Sequence, residues 1–493
     1  MLILLWWSNY SGLKCRAAEQ TSFTIRGWLS TTPVDNRTST TGLMRSAMAE
    51  KLTIQAYWSG RWMNVGEVLF ADPGKGLTGA FQFFYGPAYI NDADTCRPGI
   101  DFIDERSIGV HLPGSFVGHF NERHVAPVLR DMIPQGAARR ALVKLWGGKD
   151  TGPGMDFRLL KEGCVAPIGN LRIKEAAEAF QARIAGDRSV AFTRKDVDEH
   201  SDELIEHAHQ LGIAIEGAAG AGGDAPKLLL VEDGAGNFYL EGTLDEAQIA
   251  RHWLVKFPRG RMLAEDEDIL RSEGVFYKTL AGLGVDTIDD AELHEGRTPS
   301  LWLPRFDRRV GQDQIERFGV ESVYSLMGMI GDGARLHHMD VLGELLRFVD
   351  TQNDALLIEY LLRDVINAAI GNTDNHGRNT AVLKRNGAIH LAPAYDLAPM
   401  VLDREAIARS TVWGPEYQVQ GVVDYMAVID AFADDSGSVA EALIGRLVAF
   451  EGFRELAIGH GLPASVQNSP RIHLDRFGVV AKNLQAQLEA KRN

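Results

Sequence analysis

Cysteine is scarce in this chain. The 493 residues include three cysteines, Cys15, Cys96 and Cys164, which lie far apart and form no Cys-x-x-Cys pair. A disulfide framework and a cysteine-based zinc site both need more cysteines at closer spacing, so the sequence excludes both. A reducing, cytoplasmic compartment is the expected location.

Positive charge and long apolar runs are scarce too. Lysine and arginine number 51 against 66 acidic residues, which gives a net charge of −15 and argues against direct nucleic-acid binding. The apolar run at Met1–Trp7 is far shorter than the roughly 20 residues of a spanning helix, so no membrane association is expected. We interpret residues 1–47 as a poorly ordered N-terminal extension and hypothesise that Met48 is the true start.

The remaining composition is that of a soluble globular protein. Hydrophobic residues make up 45% and charged residues 24% of the chain, and the length predicts more than one core. Short β-rich pieces occupy 52–90, a second β-rich block follows residue 223, and the pattern after 306 is mainly helical apart from one hairpin. We therefore predict an α+β protein divided into 1–47, 48–150, 151–306 and 307–493.

A polar loop follows a strongly predicted helix in the C-terminal half. Apolar residues recur at three- and four-residue steps from Leu356 to Ile370, and the helix is predicted to stop at Gly371. The next residues, 372–379, are dense in turn formers and include Asp374 and Asn379. A turn-forming role is the usual one for an aspartate in such a loop, but loops held by a buried helix often carry function.

A predicted hairpin brings a second aspartate to this loop. Asn386-Gly387 is typical of a two-residue type I′ turn, and counting outward from it places Asn379 opposite Ala394. Asp396 follows two residues later, about 7 Å along an extended chain. The sequence therefore predicts that Asp374, Asn379 and Asp396 lie close together.

These three residues fit phosphoryl transfer from ATP. Magnesium prefers oxygen ligands such as an aspartate and an asparagine amide, and a substrate hydroxyl needs a carboxylate to accept its proton. Asp374 and Asn379 have the Asp-x-x-x-x-Asn spacing of a protein-kinase catalytic loop, although that spacing alone is weakly specific. Asp396 would then be the second metal ligand.

Upstream features permit the same interpretation. The Gly-rich segment 217–223 is suited to phosphate approach, or else is a flexible linker. Lys256 lies in an apolar strand, where it would meet a carboxylate or a phosphate unless it sits at an edge, and Glu273 on the following helix is a candidate partner. Leu301–Asp307, an apolar strand that ends in charge, is either a hinge beside a flat base or a plain core strand.

The motifs resemble the HipA family, Ser/Thr kinases of bacterial toxin–antitoxin systems whose fold is related to protein and phosphatidylinositol kinases. The strongest matches are Gly371-Asn-Thr-Asp-Asn-His-Gly-Arg-Asn, Leu391-Ala-Pro-Ala-Tyr-Asp-Leu, Leu303-Pro-Arg-Phe-Asp-Arg and Leu254-Val-Lys-Phe-Pro, with weaker ones at Leu112-Pro-Gly-Ser, Met132-Ile-Pro-Gln-Gly and Pro167-Ile-Gly-Asn-Leu. The resemblance implies a bilobal, protein-kinase-like α+β fold with an added N-terminal β-containing subdomain at 48–150.

By this resemblance, 151–306 completes the N-terminal lobe and 307–493 forms the C-terminal lobe with the catalytic loop. Asp374 would be the catalytic base, and Asn379 and Asp396 the ligands of Mg²⁺. The residues expected to surround ATP are Gly222, Gly223, Asp224, Ala225, Pro226, Lys227, Lys256, Pro304, Arg305, Phe306, His376, Gly377, Arg378 and Asn379.

Two departures from the family pattern concern regulation and the hinge. Gly220 stands where well-known members carry a serine whose autophosphorylation switches the kinase off, which implies that this route is absent. At the hinge, Pro304 stands where the family carries a residue that has a backbone N–H. Proline lacks this N–H, so only its carbonyl remains to contact an adenine amino group.

The resemblance predicts a Ser/Thr protein kinase that acts on a translation factor such as an aminoacyl-tRNA synthetase. It also implies a HipB-like helix-turn-helix antitoxin as partner, through which any contact with nucleic acid would be indirect. Two alternatives stay open at this point: a small-molecule kinase with the same fold, and a catalytically quiet transcriptional co-regulator.

Overall fold

The computed structural model of the chain describes residues 49–92, 103–115, 119–122, 127–164, 167–184, 190–211, 213, 226–259, 263–312, 314–330 and 333–492. All of them belong to one unit, Ala47–Asn493. Helices and strands are mixed along this unit, as the predicted α+β class requires. The predicted extension, Cys15, Cys96 and the whole Gly-rich segment 217–223 with Gly220 lie outside the described residues.

An antiparallel sheet with the strand order β4-β3-β2-β1-β5 opens the described part. Alternation along β3 buries Phe81, Phe83 and Tyr85 against the neighbouring helices, which gives this part a core of its own. The elements are β1 (Glu50–Trp58), β2 (Arg61–Phe70), β3 (Phe81–Tyr85), α1 (Pro87–Ile90), β4 (His119–Glu122), α2 (Val128–Met132), α3 (Gly136–Leu145), α4 (Pro153–Arg158), β5 (Leu171–Ile173) and α5 (Lys174–Ile184).

A second antiparallel sheet follows, with the order β7-β6-β8-β10-β9. Trp253 and Trp302 are fully buried on its inner face, and the long helix α8 packs beside β10. The elements are α6 (Arg194–Asp198), α7 (Asp202–Gln210), β6 (Lys227–Asp233), β7 (Phe238–Leu240), β8 (Ile249–Lys256), α8 (Ala264–Gly282), β9 (Glu292–Glu295) and β10 (Pro299–Pro304).

The third part is mainly helical. Helix α11 (Asn353–Ala369) is buried along one face, and Gly371, just after its C-cap Ile370, adopts φ 72° and turns the chain into the polar loop. The elements are β11 (Arg308–Val310), β12 (Ile315–Arg317), β13 (Gly319–Ser322), α9 (Val323–Leu326), β14 (Leu336–His337), α10 (His338–Phe348), α11 (Asn353–Ala369), β15 (Ala381–Arg385), β16 (Ala388–Leu391), β17 (Thr411–Val412), β18 (Gln418–Val419), β19 (Val422–Val423), α12 (Tyr425–Phe432), α13 (Ser436–Val448), α14 (Phe453–Gly459), α15 (Ala464–Gln467) and α16 (Arg476–Arg492).

The predicted hairpin is present but does not stand alone. Strands β15 and β16 pair as predicted, and β13 adds a third strand on the other side of β15. Six further short strands occur among the described residues of this part, so the expectation of a single hairpin after residue 306 is wrong. These strands are two to four residues long and too brief to leave a period-two pattern in the sequence.

Polar contacts of Glu321, Ser322 and Lys384 join the N-terminal sheet region, which we define as residues 49–184, to β13 and β15. Lys384 pairs with Glu321 at 2.7 Å, and both side chains are buried. Glu321 also accepts the Val110 N–H at 3.2 Å. Asp131 accepts the N–H and the hydroxyl of Ser322 at 2.8 and 2.7 Å. These contacts hold the N-terminal sheet region against β13 and β15. Strand β15 directly follows the polar loop in the chain.

None of the helices within the described ranges combines the length and apolar character needed to cross a bilayer.

Candidate active site

The loop after α11 is fixed by its own polar groups. The Asp374 N–H donates to the Asn372 side-chain oxygen at 3.1 Å. The Asn379 amide donates through Nδ2 to the carbonyl of Asp374 at 2.6 Å, and the His376 N–H donates to the same carbonyl at 3.0 Å. The Asp374 carboxylate is left outside these backbone contacts and lines a cavity.

The hairpin has the predicted register. Asn386 and Gly387 both have positive φ, 54° and 77°, as a type I′ turn requires. Arg385 pairs with Ala388 and Val382 with Leu391. This register leads from Asn379 on one side to Ala394 on the other, and Asp374, Asn379 and Asp396 all line one cavity.

Lys256, the buried lysine of β8, contacts two carboxylates. Its Nζ lies 2.6 Å from Glu273 Oε1, and it also donates to Asp396 Oδ1. Burial would lower the pKa of Lys256, but Asp396 and Glu273 outweigh it and raise that pKa above its ordinary value. The lysine therefore stays charged, and the predicted partner Glu273 is confirmed as one of two.

Tyr277 closes these contacts into a ring. Its hydroxyl donates to Glu273 Oε1 at 2.8 Å and accepts the Asp396 N–H at 2.8 Å. Lys256, Glu273, Tyr277 and Asp396 thus form a continuous hydrogen-bonded circuit between β8, α8 and the segment after β16. We call this set the lysine ring.

Asp396 has an unusual backbone. Its φ is 59°, in the left-handed region that few residues other than glycine, asparagine and aspartate adopt readily. Asn372 Nδ2 donates to the Asp396 carbonyl at 2.9 Å and so joins it to the loop of Asp374. Burial would raise the pKa of Asp396, but Lys256 and then Lys227 lower it far below its usual range. The carboxylate is therefore ionised and locked in place.

Asp374 has the opposite electrostatic environment. Burial raises its pKa above the ordinary value; nearby His376 opposes the rise and Asp396 adds to it. The His376 ring lies 3.7 Å from the Asp374 carboxylate and stacks on Tyr324. Two neighbouring carboxylates whose pKa values move apart are a frequent sign of divided roles in catalysis.

A cavity of about 600 Å³ opens between the second sheet and the third part of the chain, and we call it the cleft. Its apolar end includes Leu254, Leu303 and Ile288, with Phe306 stacked on Tyr395 at 5.6 Å between ring centroids. Its polar end holds Lys227, Lys256, Asp374 and Asp396. This division suits a ligand with a flat apolar head and an anionic tail.

The hinge residues Pro304, Arg305 and Phe306 all line the cleft. The Arg305 guanidinium is buried and donates to Asp307 at 2.7 Å, while its backbone N–H donates to His252 at 3.0 Å. The carbonyl of Arg305 accepts the Arg308 N–H at 3.3 Å, so the guanidinium, the N–H and the carbonyl of Arg305 are all engaged with the protein.

The other predicted nucleotide contacts divide into two groups. Pro226, Lys227, His376, Arg378 and Asn379 line the cleft. Gly377 lies directly beneath Tyr324, where a Cβ would come within 2.6 Å of the ring, so its lack of a side chain serves packing. Gly222, Gly223, Asp224 and Ala225 lie outside the described residues.

The donor set fits a hard cation at Asp396 and Asn379. The amide of Asn379 is oriented by donating through Nδ2, which leaves its oxygen as a ligand, and the Asp396 carboxylate is ionised. Among the described residues, no three histidine, cysteine or acidic side chains cluster as metal ligands. An ionised carboxylate and an amide oxygen are ligand types that magnesium accepts, with waters and substrate oxygens completing its shell.

Two residues of the site were missed in the sequence. Tyr277 lies four residues after Glu273 and so on the same face of α8, a spacing that the sequence does contain. Asn372 precedes Asp374 by two residues and looked like one more turn former, although it bridges Asp374, Asp396 and Asn367.

Comparison with known proteins gives a family and a fold. The HipA-like C-terminal domain family matches residues 219–449. A solved structure from Shewanella oneidensis MR-1, the toxin–antitoxin complex of HipA and HipB with its operator DNA, aligns with a TM-score of 0.56 at 16% identity, over 89% of this chain and 97% of that chain. The Helicobacter pylori proinflammatory kinase CtkA aligns at 12% identity and a TM-score of 0.32, over 55% of this chain and 90% of its own. A search of curated proteins finds no match.

The family match covers the Lys256 strand, α8, the polar loop and Asp396, which are the parts that build the cleft. The Shewanella alignment extends the likeness in fold to the N-terminal sheet region, which the family match does not reach. The predicted α+β fold class is confirmed, and the predicted family is confirmed for the matched residues. Residues 219–449 therefore form a HipA-like C-terminal domain, within a chain that shares its fold with the Shewanella protein.

Proposed function

We propose that this protein is an ATP-dependent kinase that transfers the γ-phosphate of ATP to a serine or threonine hydroxyl of another protein. The observation that carries the proposal is the lysine ring in the same cleft as Asp374. A buried lysine paired with a helix glutamate, a carboxylate for metal and a second carboxylate for the acceptor are the parts that phosphoryl transfer needs.

The cleft offers each part of ATP a suitable surface. The base would lie at the apolar end, between Leu254 and Leu303 on one side and the Phe306–Tyr395 pair on the other. The phosphates would then reach Lys256 and Lys227 at the polar end. Magnesium held by Asp396 and Asn379 would neutralise charge on the phosphate oxygens.

Asp374 is proposed as the base that orients the acceptor hydroxyl and takes its proton. Its raised pKa makes it a better proton acceptor than the ionised Asp396, whose pKa Lys256 and Lys227 hold low. Asn379 and His376 fix the loop by contacting the Asp374 carbonyl, so the carboxylate is positioned before substrate arrives.

The acceptor and the partner follow from the family resemblance. The target is proposed to be a translation factor such as an aminoacyl-tRNA synthetase. The Shewanella relative is named in a complex with HipB and operator DNA, which supports a HipB-like antitoxin as a partner of this chain. With Gly220 in place of the family's regulatory serine, such a partner would be the main means of control.

Labelled ATP separates this function from its alternatives. The full chain is incubated with magnesium, γ-labelled ATP and cell lysate, beside the variants Asp374→Asn and Asp354→Asn. Asp354 is exposed at the start of α11 and serves as a matched control. We expect label on protein, a loss of about 100-fold or more in Asp374→Asn, and no loss in Asp354→Asn.

The other outcomes assign the alternatives. Label on metabolites and not on protein would make the chain a small-molecule kinase. ATP binding with no transfer at all would contradict the proposal and leave a catalytically quiet binding protein.

A further inference from the structure

A second cavity, of about 240 Å³, lies where the N-terminal sheet region, the segment 241–248 that joins β7 to β8, and the strands that follow the hinge meet. Arg172, Arg308 and Arg317 line it together with Trp62, and it shares no lining residue with the cleft. Three arginines around one small cavity stand out in a chain whose net charge is −15. We propose that this cavity binds a small oxyanion of the phosphate class through Arg172, Arg308 and Arg317.

Arg308 and Arg317 each have a buried donor to spare. Arg308 donates through Nη1 to the Gly169 carbonyl and the Asp307 carboxylate at 2.6 and 2.8 Å, and through Nη2 to the Pro167 carbonyl at 3.2 Å. Arg317 donates through Nη2 to Glu246 at 2.6 Å. The Nε–H groups of both arginines are buried and, within the described part of the chain, have no acceptor. Buried N–H groups without acceptors are costly, and an oxyanion supplies acceptors for both.

Arg172 supplies the third guanidinium. It stacks on the indole of Trp62 at 3.9 Å, and Arg317 lies 5.2 Å from the same ring. Its hydrogen bond to Gln55, at 2.8 Å, uses Nε and so does not involve the two Nη groups. Stacking on the indole holds the plane of the guanidinium while those Nη groups remain for a ligand.

The local charge balance favours an anion. Burial, and then the neighbouring Arg305, lowers the pKa of Arg308 to about 9. Burial and Arg317 lower the pKa of Arg172 to about 10. In both arginines burial outweighs the neighbouring carboxylates, so the protein itself neutralises their positive charge only in part.

The acidic residues around the cavity are already engaged or peripheral. Glu241 contacts His252 at 3.1 Å and Arg305 at 3.4 Å. Glu246 pairs with Arg317 and accepts the Tyr57 hydroxyl at 2.9 Å. Asp245 is exposed at the rim. None of these carboxylates takes the spare donors of Arg308 or the Nη groups of Arg172 in the described structure.

The size of the cavity limits the ligand. It is smaller than the roughly 300–1,000 Å³ of sites for drug-sized molecules, so it suits phosphate, sulfate or a small phosphate monoester and not a nucleotide. An anion here would bridge Arg172 of β5 to Arg308 and Arg317 of β11 and β12. Its binding would therefore stabilise the contact between the N-terminal sheet region and the segment after the hinge.

Phosphate titration tests the site without any measurement of kinase activity. Inorganic phosphate and glycerol 3-phosphate are titrated in parallel against the full chain by calorimetry, with chloride at matched ionic strength as reference. The variants are Arg172→Gln and Arg317→Gln, so that a folding defect in one leaves the other informative. Arg309→Gln is the matched control, because Arg309 lies in the same strand as Arg308 but is exposed and pairs with Glu316.

We expect binding to weaken by about tenfold or more in Arg172→Gln and Arg317→Gln, and by less than about twofold in Arg309→Gln. The ligand that binds more tightly identifies free phosphate or a monoester as the natural source. Equal binding in the wild type and both cavity variants would place the anion elsewhere, for example at Lys256, and overturn the proposal. Absence of binding by either ligand would also overturn it and leave a cavity filled by water.

Discussion

The described part of the chain contains two buried lysine–glutamate pairs, and they are built alike. Lys256 meets Glu273 at 2.6 Å, and Lys384 meets Glu321 at 2.7 Å. In each pair the glutamate also accepts a hydroxyl from the residue four positions later, Tyr277 in one case and Ser325 in the other. The local chemistry of the two pairs is therefore almost the same.

Their surroundings differ and decide what each pair does. Lys256 also contacts Asp396, whose side chain is 25% exposed in the cleft. Lys384 instead donates to the carbonyls of Ser107 and Ile108 at 3.4 Å, and its glutamate takes a backbone N–H from the same segment. The first pair faces the cleft, while the second contacts backbone carbonyls and joins two parts of the chain. A buried ion pair alone thus carries no functional assignment.

The largest expected effects come from removing each lysine. Both Lys384→Met and Lys256→Met leave a buried glutamate without its cation, so each should lower the free energy of unfolding, by about 3–5 kcal/mol for Lys384→Met. Phosphate transfer per folded molecule should fall by about 100-fold or more in Lys256→Met and stay near wild type in Lys384→Met. Denaturant unfolding and labelled-ATP assays measure the two effects separately. Loss of phosphate transfer in folded Lys384→Met would contradict the inference that only the Lys256 pair takes part in the reaction.

Removing the two hydroxyls is a milder test of the same comparison. Tyr277→Phe and Ser325→Ala each delete one hydrogen bond to a buried carboxylate, which should cost about 1.5–3 kcal/mol in both variants. Tyr277→Phe also leaves the Asp396 N–H without its acceptor, so this variant alone should lose transfer, by about tenfold. Unfolding and initial-rate measurements check this, and equal losses of transfer in the two variants would count against the lysine ring as a unit.

The smallest effect concerns Asp131, a carboxylate that joins the same two parts as Lys384 but accepts its hydrogen bonds from Ser322. Burial raises its pKa to about 6, above the value in the unfolded chain. The native state therefore binds more protons, and its stability falls as pH rises from about 4 through 6. Asp131→Asn removes the titrating carboxyl, and so the loss of stability at higher pH. A pKa shift of about two units corresponds to roughly 3 kcal/mol. We expect a smaller gain of about 1 kcal/mol at neutral pH, because an amide oxygen accepts the Ser322 hydrogen bonds more weakly than a carboxylate does.

Unfolding of Asp131→Asn at pH 4.5 and pH 7.5 measures that difference, with Asp354→Asn as an exposed control. A stability difference from wild type that is the same at both pH values would show that Asp131 does not titrate as expected.

The sequence predicted the residues of the cleft better than it predicted the contacts between the N-terminal sheet region and β13 and β15. The hairpin register followed from Asn386-Gly387 because a two-residue turn leaves one way to pair the strands. Glu273 was found because a buried lysine requires a counter-charge and a helix glutamate was available. The roles of Asp374, Asn379, Asp396 and the nucleotide-binding residues remain predictions for the assays above.

The contacts between these two parts of the chain could not be predicted, because they join segments that lie far apart in the sequence. Glu321 and Lys384 are 63 positions apart, and Val110 lies 211 positions before Glu321. Nothing in the local pattern around β13, four residues long, indicates that it pairs with β15. The buried Arg305 shows the same limit, since its motif suggested a ligand contact while its guanidinium is held by Asp307 and Glu241.

The left-handed backbone of Asp396 has a genetic consequence. Asparagine and glycine accept the same φ of 59°, and each is one nucleotide substitution away from an aspartate codon. Either change would delete the charge without disturbing the path of the chain. Under the proposed function, a lineage under pressure to silence this protein would therefore have a short route to a folded form without kinase activity that keeps its other surfaces for binding.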